Sequence, residues 1–65
     1  MVTYEIVKHI GKAGDKEVNL VSWNGNAPKI DIREWYEDHT KCRKGITLTD
    51  EEAKALYEVL KGRYE

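Results

Sequence analysis

The 65 residues predict an α+β domain, an antiparallel meander of four strands followed by one C-terminal helix. Three observations predict it. Up to Leu48, apolar and polar residues alternate in short runs, the period of half-buried strands. Glycine, asparagine, aspartate and proline separate the runs at intervals too short for crossover helices, which leaves antiparallel pairing of neighbours. After Thr49 the period becomes helical.

The first run, Thr3 to Ile10 (TYEIVKHI), is rich in β-branched and aromatic residues and reads as a strand. GKAGDK supplies two glycines and an aspartate for a turn. Glu17 to Asn24 (EVNLVSWN) is the second strand, and GNAP turns the chain again. Pro28 sits where a strand begins and needs no ladder donor. Lys29 to Tyr36 (KIDIREWY) is the third strand, EDHTKC a polar loop, and Arg43 to Leu48 (RKGITL) the fourth strand. In TDEEAKALYEVLKGRYE, Ala53, Leu56, Tyr57, Leu60 and Tyr64 form one apolar stripe. Thr49 with Glu52 makes a capping box, and Asp50, Glu51 and Glu52 suit the positive end of the helix dipole. Gly62 is expected to fray the last turn.

A single domain, residues 1–65, is all this length allows. So short a chain buries little surface, and such domains add disulfides, a metal or a second subunit. The single cysteine, Cys42, excludes an internal disulfide and suits a reducing compartment. There is no apolar run long enough to span a bilayer and no signal peptide before the first strand. A cytoplasmic homodimer is therefore expected, with Leu56, Tyr57, Leu60 and Tyr64 at its interface and no membrane partner.

Net charge is −1, which by itself argues against nucleic acid. The distribution says more. His39 to Thr49 carries Lys41, Arg43 and Lys44 and no acid, whereas Asp50 to Glu65 has five acids against three bases. Alternation sorts the strands into two faces. Val18, Leu20, Ile30, Ile32, Ile46 and Leu48 form an aliphatic face for the helix to cover. Trp23, Trp35, Arg33 and Arg43 gather on the other, an arrangement of rings beside guanidinium groups that suits single-stranded nucleic acid. The competing reading is structural. The tryptophans pack on each other or on a second subunit, Arg33 pairs with Asp31 or Glu34, and the cations are a solvated loop. A dimeric protein-interaction module would use the same aromatic face.

Catalysis has no support. His39 and Cys42 lie three apart, but a zinc site needs four ligands, and His9 is distant. No catalytic residue, metal, cofactor or small-molecule substrate is expected.

IDIREWY followed by RKGITLTDEE is similar to the C-terminal domain family of the transcriptional coactivator positive cofactor four. The wider pattern VSWN, PK, DIR, W, DH and KGITL resembles its small bacterial YdbC-like branch, over about Leu20 to Leu60. The resemblance implies the same sheet-plus-helix fold with the four-stranded sheet curved, a homodimer, and binding of single-stranded DNA largely without sequence preference; transcription, replication and repair all stay open as the process served. RNA and melted duplex DNA remain alternative ligands. It implies a nucleoid-associated protein if bacterial. The family's strand arginine falls on Arg33, and its basic pair and glycine on Arg43, Lys44 and Gly45. The aromatic ending the second strand falls on Trp23, and the aromatic pair on Trp35 and Tyr36. Alternation favours Trp35 as the stacking ring, and the eukaryotic pattern favours Tyr36. Lys29 and Lys41 complete the expected contact set. The regulatory N-terminal region of eukaryotic members has no counterpart, so coactivation of that type is not implied.

Overall fold

The computed structural model describes residues 3–65. Four strands, β1 (Tyr4–Ala13), β2 (Lys16–Trp23), β3 (Lys29–Arg33) and β4 (Ile46–Leu48), pair antiparallel in the order β1-β2-β3-β4. The helix α1 (Asp50–Tyr64) follows. Gly14, at φ 64°, closes the β1–β2 hairpin. Asn24 (φ 52°) and Gly25 (φ 76°) are both left-handed, as a tight primed turn requires. Register shifts at Val7 and Ile10 mark bulges in β1, which add twist and bring Tyr4, Ile6, His9 and Lys12 opposite Trp23, Val21, Asn19 and Glu17.

Two expected strands are shorter than alternation suggested. β3 ends at Arg33 rather than Tyr36, and β4 begins at Ile46 rather than Arg43. The turn between β1 and β2 is also tighter, because β1 continues through Ala13. The helix cap is as expected. Thr49 Oγ1 accepts from the Glu52 N–H at 3.1 Å, and Glu52 accepts from the Thr49 N–H at 2.9 Å. These bonds to Thr49 hold the Glu52 carboxyl below its ordinary range. Gly62 does not fray the helix, which runs on to Tyr64 and is closed by Glu65 N–H on Lys61 O.

The core sits on the opposite face from the one expected. Val18, Leu20, Ile30, Ile32 and Leu48 are only half-buried, and no helix residue is buried. The fully buried side chains among the described residues are Val21, Asn19 and Asp31, which share the other face. α1 leans on β3 and β4 alone, leaving a groove of about 310 Å³ between Val18, Ile30, Ile32, Leu48, Leu56 and Leu60. The radius of gyration is 12.4 Å, against about 11 Å for a compact chain of this length.

Candidate nucleic-acid interface

The twelve residues between β3 and β4 build the site. Residues 34–45 leave the sheet and fold back over it as a small irregular arm. Arg43 N–H donates to Glu34 O at 2.9 Å and Tyr36 N–H to Lys41 O at 3.0 Å, while Trp35 and Cys42 bridge between them. Antiparallel pairing then alternates the arm's side chains. Trp35 and Cys42 face the sheet, and Tyr36, Lys41 and Arg43 face out. His39 N–H on Tyr36 O at 2.8 Å closes the tip, with His39 itself left-handed at φ 56°.

Beneath the arm lies a tight aromatic and polar layer. Trp35 stacks on Trp23 with centroids 6.3 Å apart and planes 11° from parallel, and Tyr4 packs at 5.7 Å and 5.1 Å from the two. The indole N–H groups of Trp23 and Trp35 are buried without a hydrogen-bond partner. The Arg33 guanidinium lies 4.7 Å from the Trp23 ring centre. Its Nε and Nη2 donate to the two oxygens of Asp31 at 2.6 Å and 2.8 Å, and Thr47 Oγ1 donates to Asp31 Oδ2 at 2.8 Å. The Asp31 side chain is 0% exposed and that of Arg33 14%. Burial opposes the guanidinium's charge, but the bonds to Asp31 and the contact with Cys42 more than compensate and raise its pKa. Asn19 is buried beside this pair. Its Oδ1 accepts from His9 Nδ1 at 2.7 Å and its Nδ2 donates to Glu17 at 3.2 Å.

The sequence-predicted residues therefore divide into two layers. Trp23, Trp35 and Arg33 lie in the inner one, because Trp35 turns back onto Trp23 and Arg33 is engaged by Asp31. Both tryptophans are half-buried, each against the other. The outer layer holds Tyr36, 48% exposed, with the Arg43 guanidinium 5.7 Å from its ring centre. Lys41 and Lys44 are exposed on the same arm. Lys29 is exposed at the far end of β3, opposite Val21. Gly45 is pressed against β3 at the base of the arm. A Cβ there would lie 2.5 Å from Ile32 O and closer still to Arg33 Cβ. Sequence reasoning missed Tyr4, Glu17 and Asn19 as supports. Only the cross-strand pairing, which alternation does not specify, brings them under the arm. His39 and Cys42 do not come together with a further ligand, and among the described residues no group of three or more His, Cys, Asp or Glu is placed to hold a metal ion. No helix among the described residues is long and apolar enough to cross a membrane.

A four-stranded open sheet with a capped C-terminal helix and an arginine–aspartate pair under a basic arm fits the resemblance noted in DIREWY and RKGITL. Residues 10–59 match the family described as Transcriptional Coactivator p15 (PC4). The chain belongs to the PC4 family. PC4 domains are non-enzymatic and bind nucleic acid. The chain is also 44% identical over 50 residues to an uncharacterized protein of Treponema pallidum (strain Nichols). That match covers 77% of this chain and 59% of the relative, so the chain spans somewhat over half the relative's length.

Proposed function

We propose that this PC4-family protein binds single-stranded DNA as a homodimer, largely without regard to sequence, as a cytoplasmic or nucleoid-associated protein. Bases stack on Tyr36, while Lys41, Arg43, Lys44 and Lys29 hold phosphates. Trp23, Trp35 and Arg33 act one layer below, by keeping the arm in place, and Gly45 fixes its base. The observation that carries this is the outward pairing of the Tyr36 ring with the Arg43 guanidinium at 5.7 Å. A half-exposed ring beside a cation offers stacking and charge together, the combination that single strands need.

The test is titration of a labelled oligo-dT strand, with duplex DNA and single-stranded RNA in parallel, at two salt concentrations. Oligo-dT affinity falls steeply with salt as counterions are released. Tyr36→Ala costs about 1–3 kcal/mol of affinity at an unchanged salt slope. Arg43→Ala with Lys44→Ala weakens binding to every strand alike and lowers the slope by roughly 0.7 per lost contact. A Tyr36→Ala protein that binds oligo-dT as wild type does would remove the stacking role.

The dimer is proposed from the uncovered aliphatic face. Leu60 is 46% and Tyr57 60% exposed beside the groove, and Ile10 and Ile46 extend it. A second copy laid there would bury what one helix leaves open. Leu60→Asp puts a charge into that contact and yields monomer or unfolded chain. Light scattering at micromolar concentration reads the mass, and a monomeric wild type would overturn the assignment.

A further inference from the structure

A cavity of about 420 Å³ opens where the arm's tip meets the sheet, lined by Ile6, His9, Lys12, Glu17, Asn19 and His39. Its polar groups are not idle. His39 Nε2 lies 3.0 Å from each oxygen of Glu17, whose side chain is 14% exposed. The Tyr4 hydroxyl donates to the His39 carbonyl oxygen. The tip is thus held at one residue by side chains from two strands. None of these groups belongs to the outward surface of Tyr36, Lys41 and Arg43. They lie on its far side, and of them His39 is three residues from Tyr36 along the chain.

We infer that Glu17 and Tyr4 are positioning residues for the nucleic-acid surface: they clamp His39 and so fix the arm in the form that presents Tyr36 beside Arg43. This rests on the proposed binding role of the arm. The physical need is plain. The arm has only three backbone hydrogen bonds of its own, a short irregular hairpin of this kind is marginal in isolation, and His39 holds a left-handed backbone that a non-glycine residue adopts only when its surroundings fix it. A carboxylate gripping an imidazole from the sheet supplies that fixing. It also reduces the ordering that a single strand would otherwise impose on binding.

The clamp weakens in acid. Burial alone would raise the Glu17 pKa, but hydrogen bonds from His39 and Asn19 and the attraction of both imidazoles lower it below its ordinary value. A carboxylate depressed by folding stabilises fully above its unfolded pKa, and that contribution is lost as pH falls through the lowered value. The other groups facing the pair are His9, 3.7 Å from Glu17 Oε1, Lys12 and Arg33, which are its cross-strand partners, and Asp38 beside His39. Arg33 is turned to Asp31, and Asp38 is held by Thr40.

The experiment compares wild type with the isosteric Glu17→Gln, Tyr4→Phe and His39→Ala by amide hydrogen exchange and by oligo-dT affinity across an acid pH series. Thymine leaves the ligand's own charge unchanged over that range. Glu17→Gln speeds exchange at the Tyr36 and Arg43 amides about tenfold, the loss of one charge-assisted bond, while β2 amides keep their protection. Affinity falls several-fold, and the part of the acid-side decline that Glu17 causes disappears. His39→Ala gives the same loss, and combining it with Glu17→Gln adds little, because both remove one interaction. Unchanged arm exchange in Glu17→Gln would overturn the clamp. If wild type binds no single strand, the functional proposal fails while the exchange comparison still decides whether Glu17 holds the arm. If exchange quickens but affinity stays constant, Glu17 is structural only and the positioning role is refuted.

Discussion

Arg33→Ala destabilises the domain by about 3–5 kcal/mol, because it strands the Asp31 carboxylate in a place water does not reach. Asp31 has no exposed side-chain surface and takes two of its three hydrogen bonds from Arg33. Thr47 cannot neutralise a charge. Domains of this size hold roughly 0.05–0.15 kcal/mol per residue, so the loss consumes a large part of the reserve and moves the unfolding midpoint far towards zero urea. Arg33→Lys keeps the charge but loses the planar fork and the contact with Trp23, and falls between. The decisive comparison is the double replacement Asp31→Leu with Arg33→Leu. With both charges gone, it is more stable than Arg33→Ala alone. Urea unfolding of the three variants reads the effect. An Arg33→Ala protein with the wild-type midpoint would mean that the pair contributes little. The same ladder sorts function from structure. Any loss of oligo-dT binding in Arg33→Ala tracks the unfolded fraction, unlike the loss in Tyr36→Ala, which leaves the midpoint in place.

The pair shows how far the sequence could be read. Strand order, the turns, the helix and its cap all follow from local patterns that the chain satisfies with its own neighbours. Thr49 and Glu52 cap the helix whatever lies around them, and Asn24-Gly25 turns because its backbone angles suit nothing else. The distribution of burial was less legible. Alternation ranks Asn19 and Asp31 as solvent-facing because they are polar, yet they are the most enclosed residues of the sheet alongside Val21. Their burial depends on partners two residues away or across a strand: Arg33 for Asp31, His9 and Glu17 for Asn19. Asp-x-Arg on one strand face does signal such a pair, which is one of the two readings the sequence offers for Arg33. What no pattern in 34–45 announces is the fold-back. Trp35 keeps the parity of the third strand, but the chain gains more by laying that ring on Trp23 and Tyr4 than by extending the ladder. The strand therefore stops at Arg33, and Tyr36 rather than Trp35 is left outside.

Gly45 carries the other large effect. Gly45→Ala would place a methyl 2.5 Å from Ile32 O and closer to Arg33 Cβ, and both obstacles belong to the β3 backbone or its first side-chain atom. Neither can rotate away, so the chain must separate. Overpacking of this kind costs about 1–3 kcal/mol and sometimes more. The damage also has a direction. Gly45 joins the arm to β4, and lifting it off β3 disturbs Arg33 on one side and carries Arg43 and Lys44 away on the other. Gly45→Ala therefore lowers the melting temperature and, even where the protein remains folded, weakens oligo-dT binding and reduces its salt slope. Gly62→Ala is the matched control. Nothing lies within 4 Å of a Cβ there, and the residue is inside α1. That exchange raises stability by roughly 0.5–1 kcal/mol and leaves binding alone. Thermal unfolding and oligo-dT titration of the two variants side by side separate a general response to added methyl groups from the close approach at β3. If Gly45→Ala melts with the wild type yet loses binding, the need for glycine lies in the approach of a phosphate to its N–H rather than in the packing against Ile32 and Arg33.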